Sequence, residues 1–253
     1  MLEEILTLNI YLFILIFSRI GVFFFMTPGF GGVQVKVKTR LALALSVTFL
    51  LTPVLSEHIP PMPANVLNLG VLIIGEVLAG AILGAVILTL FSAVQVAGTV
   101  ISFVSAMANA LIFDPISQQQ SAIVAGFLSA TAVTLLFVTN MHHVFIEAMI
   151  NSYALFPPGV APNTGDMAQL ITRHVNDTFK LGVQLASPFI VVSLTYYLGL
   201  GILTRLSPQV PIFFVAMPLQ IVISIVVLAT TIPALMLAFF GHVQAGLQPF
   251  LTP

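Results

Sequence analysis

"GEVLAGAILGAVILTLFSAVQVAGTVISFV", residues 75–104, carries a single charged side chain, Glu76. It lies inside a longer apolar run over 66–113. About 20 apolar residues cross the roughly 30 Å hydrocarbon core of a bilayer, so this run is long enough for two helices, with a weak break near Ser92 to Gly98. Lipid offers no partner to backbone N–H and C=O groups, which leaves helices or closed barrels. A barrel needs alternating segments of about ten residues, and that pattern is absent. The run therefore reads as helix. Gly75 and Ala79, Gly80 and Gly84, and Ala81 and Ala85 form small-xxx-small pairs, which let a second helix approach backbone to backbone. Gly75, Ala79, Gly80 and Gly84 are the expected packing face.

Working outward, further apolar runs cover 5–26, 41–55, 121–150, 181–203 and 212–240. The 41–55 run is short for a span. Of the 253 residues, 59% are hydrophobic and 6% charged, and mean hydropathy is +1.15. Soluble domains carry about 25% charged residues, so this chain cannot dress a water-facing surface. The expected class is an all-α, multi-helix integral membrane-type protein with kinked helices and hairpins. The net charge of −1 gives no pull on nucleic acid. With no cysteine, disulfides, thiolate metal sites and a cysteine nucleophile are excluded. The N-terminal "MLEEILTLNIYLFILIF" is acidic where a signal peptide would be basic, and reads as a retained, structural segment.

The connectors are Gly-, Pro- and charge-marked: "TPGFGGVQVKVKTR" (27–40), "TPVLSEHIPPMPAN" (52–65), "FPPGVAPNTGDMAQ" (156–169) and "TRLSPQVP" (204–211). The last is short enough to make the final two helices a hairpin. The 170–180 stretch is polar enough for a surface or interfacial helix. Lys36, Lys38 and Arg40 mark the first connector as cytoplasmic, but Arg173, Lys180 and Arg205 leave the rest of the orientation open. Pro188, Pro218 and Pro233 each remove a backbone donor and are expected to kink or break their helices.

Three charges fall within apolar runs: Arg19, Glu76 and Glu147. A central charge costs about 2.5–3.5 kcal/mol on insertion scales, so each is a candidate buried charge facing protein, a counter-charge or water. Arg19 is alternatively placed to snorkel to the interface. "NMHHVFIE" (140–147) puts His143 and Glu147 on one helical face. It matches no zinc-protease spacing, and two ligands do not close a metal site. No catalytic, cofactor or metal residues are assigned, and no cofactor is expected.

The polar stretch "NALIFDPISQQQSA" (109–122) interrupts the apolar pattern at mid-chain. Asp114 before Pro115 favours an extended or turn conformation. Gln118, Gln119 and Gln120 offer amide donors and acceptors. Read from the residues alone, the stretch is a hydrated turn or a functional loop.

The order of motifs resembles the FliR family of flagellar type III secretion. The matching stretches are "SRIGVFFFMTPGFGG…KTRLALALS" (18–46), "GEVLAGAILG" (75–84), "IFDP" (112–115), "NMHHVFIEAMINSYALFPPG" (140–159) and "LASPFIVVSLTYYLGLGILTRLSPQVPIFFVAMPL" (185–219). Met141 stands where the family usually has Gly, and "SAMANALIFDP" lacks a Gly-Leu pair common before "DP". The resemblance implies a non-enzymatic subunit that joins FliP- and FliQ-type proteins in a helical hetero-oligomeric channel. Unfolded flagellar proteins would pass through it across the bacterial inner membrane, at the flagellar basal body, beside FlhA- and FlhB-type export proteins. Residues 1–180 would form a FliP-like part and 181–253 a FliQ-like hairpin. The segment at "DP" would be an inner plug loop. Phe113, Asp114 and Pro115 match its motif. The chemistry extends it to Ser117, Gln118, Gln119 and Gln120, with apolar Met107, Leu111 and Ile112 beside them. The injectisome counterpart, a small-molecule or ion transporter using Glu76, Asp114 or Glu147, and an intramembrane hydrolase built on the histidines are the alternatives.

Overall fold

In the computed structural model, residues 2–32, 35–108, 111–113, 120–160, 164–206, 209 and 212–251 are described. Seven helices account for nearly all of them: α1 (Leu2–Met26), α2 (Val37–Leu55, followed by a single 3-10 turn), α3 (Val66–Val104), α4 (Ile123–Val138), α5 (His142–Leu155), α6 (Thr164–Leu206) and α7 (Ile212–Leu251). Between α3 and α4 lies one short antiparallel ribbon, β1 (Leu111–Phe113) and β2 (Gln120–Ala122). The expected all-α class is met, with the ribbon as a local addition.

Among the described residues, four helices are long and apolar enough to cross a membrane: Val37–His58, Val66–Val104, Gly165–Leu206 and Ala216–Leu251. The apolar described part of α1, Ile10–Met26, is shorter. The chain is a membrane protein. Three expectations are corrected. The 66–113 run is not two helices: α3 continues unbroken through Ser92 and Gly98, its 39 residues spanning about 58 Å at about 1.5 Å each. The polar 170–180 stretch is not a separate interfacial helix but part of the 43-residue α6. Of the kink or break expected at Pro188, Pro218 and Pro233, the break does not occur, since α6 and α7 run through them. The loss of one N–H is tolerated when the rest of a long helix keeps its ladder.

Backbone packing decides the first of these. Gly98 reads as a helix breaker from propensity, but a Cβ there would sit 2.3 Å from Ala125 Cα. It is the place where α4 lies directly on α3. Several helical threonine hydroxyls satisfy themselves. Thr48, Thr134, Thr195 and Thr230 each donate to the carbonyl four residues back, the usual way for Thr to remain in an apolar helix.

The chain divides into two compact units. The first takes residues 1–90, 135–174 and 244–253. Its core is a helical stripe on α1 (Tyr11, Leu15, Ile16, Ile20, Phe23) with Leu83, Val86 and Ile87 of α3, Phe145 and Met149 of α5, and Leu247 of α7. Phe24, Phe30 and Phe137 meet edge to face at 5.1 and 5.4 Å, a favoured arrangement for aromatic rings. The second takes residues 91–134 and 175–243. There Phe91 and Phe239 meet perpendicular at 5.1 Å, beside buried Val94, Ile101, Leu128 and Phe189.

Candidate functional site

Two polar sites interrupt this apolar scaffold, one in each unit. In the first, Arg19 of α1 and Glu76 of α3 are 1% and 2% exposed. Arg19 Nε donates to Glu76 Oε2 at 2.8 Å and Nη2 to Oε1 at 2.9 Å. This is the two-pronged geometry that a guanidinium fork makes with a carboxylate. Nη1 donates to Ser152 Oγ at 3.2 Å, and Nη2 also to the Phe156 carbonyl at 2.7 Å. The guanidinium lies 3.8 Å from the centroid of Tyr153. The charge of Arg19 is thus matched by a carboxylate, a hydroxyl, a carbonyl and a ring face, and it does not snorkel.

The sequence shows how that pair is reached. Glu76 and Gly80 are one helical turn apart. A Cβ at Gly80 would fall 2.4 Å from the Arg19 carbonyl, so the missing side chain brings α3 against α1 where Glu76 meets Arg19. One turn on, a Cβ at Gly84 would sit 2.8 Å from Met26 Cβ. Ala79 is buried. Gly75, assigned to the same face, has nothing within 4 Å of a Cβ position and does not share the contact. Glu147, read as a candidate buried charge, is exposed. The buried positions of α5 are Phe145, Ala148, Met149, Ser152 and Tyr153, and at about 100° per residue Glu147 falls on the other face. Sequence reasoning missed Ser152, Tyr153 and the Phe156 carbonyl. Ser152 and Tyr153 follow Met149 and Phe145 at helical spacing, the one available signal.

The second site surrounds the end of α3. The helix closes with Ser105 N–H on the Ile101 carbonyl at 2.9 Å and Met107 N–H reaching back to Ser102 O at 2.9 Å. Ala106 takes φ +60. This is the reversed closing turn that normally employs Gly at the left-handed position. The Val104 carbonyl, which has lost its helical donor, accepts from Ser193 Oγ of α6 at 2.6 Å and Gln220 Nε2 of α7 at 2.7 Å. Gln220 also donates to Tyr197 Oη at 3.1 Å, and Tyr196 Oη donates to the Ala216 carbonyl. Gln220 had a signal in the sequence, a lone amide within the apolar "AMPLQIVISIVVLA". Ser193 had none.

Beyond Met107, which is half-buried, the chain enters the stretch expected to act as a loop. Leu111, Ile112 and Phe113 pair with Ala122, Ser121 and Gln120 respectively. The paired strands frame a hairpin. Asp114, Pro115, Ser117, Gln118 and Gln119 lie outside the described residues. The histidines gather no metal site: among the described residues no three of His, Asp or Glu come together. His142 and His143 rings stand 4.3 Å apart.

These features define a class: a largely helical membrane protein with one buried ion pair and a short antiparallel ribbon at mid-chain. The family described as "Bacterial export proteins, family 1" matches residues 10–246. The flagellar biosynthetic protein FliR of Caulobacter vibrioides is 34% identical over 96% of this chain and 96% of its own. Those of Bacillus subtilis (29% identical; 85% of this chain, 84% of the relative) and Escherichia coli (29%; 79% and 76%) are also similar. The chain belongs to the FliR family.

Proposed function

We propose that this chain is a non-enzymatic subunit of the flagellar protein export gate in the bacterial inner membrane. It assembles with FliP- and FliQ-type subunits, beside FlhA- and FlhB-type proteins, into a channel for unfolded flagellar proteins. Residues 1–180 serve as the FliP-like part and 181–253 as the FliQ-like hairpin. The observation that carries this reading is the likeness, over 96% of this chain and 96% of the relative, to a flagellar biosynthetic FliR. The ties from Tyr196 and Gln220 between α6 and α7 support the hairpin. Exposed Val191, Leu194, Leu198 and Ile202 on α6, with Val222 and Val226 on α7, supply apolar surface for lipid and for neighbouring helices.

The hairpin at 111–122 is the channel's inner plug. Non-helical backbone at membrane depth is tolerated where it is buried in protein or lines a water-filled cavity. Neutral amides and apolar side chains together suit a barrier that stops ions yet releases for a passing chain. Deleting residues 113–120 is expected to raise ion conductance of the assembled complex in planar bilayers. Conductance equal to that of the parent would remove the plug from this account.

A further inference from the structure

Val104, Ala106, Ser193 and Gln220 do more than end a helix. A terminal carbonyl exposed to water needs no protein partner, and a helix that simply stopped would place Gly at the left-handed position. Here the Val104 carbonyl is held by two side chains from two other helices, Ser193 and Gln220, which are 5% and 3% exposed. Ala106 keeps a backbone conformation that costs an L-residue with a Cβ roughly 1–2 kcal/mol. On the same turn, the Ser102 and Ser105 hydroxyls are buried without a partner among the described residues. A helix end that is strained, held from outside and incompletely satisfied has another arrangement within reach.

We propose that the end of α3 is a latched hinge, with Ser193 and Gln220 as positioning residues that fix where the chain leaves the helix. While both donors hold the Val104 carbonyl, α3 stops at residue 104 and Met107 is drawn back onto Ser102. When they let go, the carbonyl and the two idle hydroxyls exchange partners and the turn at Ala106 is free to unwind. Gln220 is the stronger arm, because Tyr197 braces its amide. The latch thereby places the C-terminal hairpin in control of the segment that follows α3. That consequence for gating rests on the plug reading; the latch itself does not.

The chain contains no cysteine, so Met107→Cys introduces a unique thiol. In native membranes of the full-length protein, its reaction with a small methanethiosulfonate reports how often the turn opens, provided closing outpaces labelling. Gln220→Met keeps the volume and removes the donor; Ser193→Ala removes the other. Each is expected to speed labelling several-fold, and the pair together by at least about tenfold, the scale set by losing two hydrogen bonds. The single Ser193→Ala, the smallest change, decides the matter if the pair does not accumulate. Thr230→Val, which removes an exposed hydroxyl bonded only within α7, is expected to leave the rate at the parent value. Unchanged labelling in Gln220→Met and Ser193→Ala would overturn the latch, whatever the channel does. Faster labelling with unaltered conductance would uphold the latch and count against the plug.

Discussion

Arg19 and Glu76 set the energetics of the first unit. Two charges removed from water each carry a desolvation penalty of several kcal/mol, offset here by a two-pronged ion pair and two further hydrogen bonds. Removing one partner leaves the other uncompensated. Arg19→Leu or Glu76→Leu alone is expected to lower unfolding stability in detergent by about 3–5 kcal/mol, while the double substitution costs less than the sum of the two. Strict additivity in a double-mutant cycle would show that the pair is not coupled. Tyr153 makes a finer test. Its ring carries the guanidinium, but its hydroxyl is buried without a partner among the described residues. Tyr153→Phe is therefore expected to be neutral or slightly stabilising, and Tyr153→Leu to cost about 0.5–2 kcal/mol; equal losses in both, read by thermal unfolding, would contradict the ring's role. The sequence makes the charges themselves conspicuous, since few occur in apolar runs. It does not pair them: the two are 57 positions apart, and only the close crossing of α1 and α3 brings them together.

At the scale of elements, small residues mark where backbones touch. Gly80→Leu and Gly84→Leu are expected to push α3 off α1, where a Cβ already meets the Arg19 carbonyl and Met26. Little folded protein should survive size-exclusion chromatography. Gly75→Leu, on the open side of the same helix, should behave like the parent. Behaviour reversed between Gly75 and Gly80 would refute this crossing. The helix content and the contact positions Gly80 and Gly84 were legible because apolar length and small-residue spacing are local signals, while Gly75, included in the same expected face, falls outside the contact. The unbroken course of α3 was not legible, because Gly98 looks like a weakness until Ala125 is seen against it. Nor were β1 and β2, three residues each, whose pairing depends on contacts across the intervening loop rather than on their own alternation. The prolines left kink and break open, and only the break is ruled out. Pro188, Pro218 and Pro233 each remove one donor, and helices of 43 and 40 residues retain enough of their ladder to continue.

For the whole molecule, the decisive quantity is apolar surface that the chain does not cover itself. Phe49, Leu50, Val54, Leu198, Ile202 and Leu237 are each at least 61% exposed, and a membrane protein that acted alone would offer such faces only to lipid. The proposed gate role would turn some of them toward helices of other subunits. The most direct test of that claim is native mass spectrometry of the full-length protein in mild detergent, expressed with and without FliP- and FliQ-type partners. A hetero-oligomer holding this chain together with both partner types is the result the account predicts. A stable protein that remains free of them when all are co-expressed would contradict it.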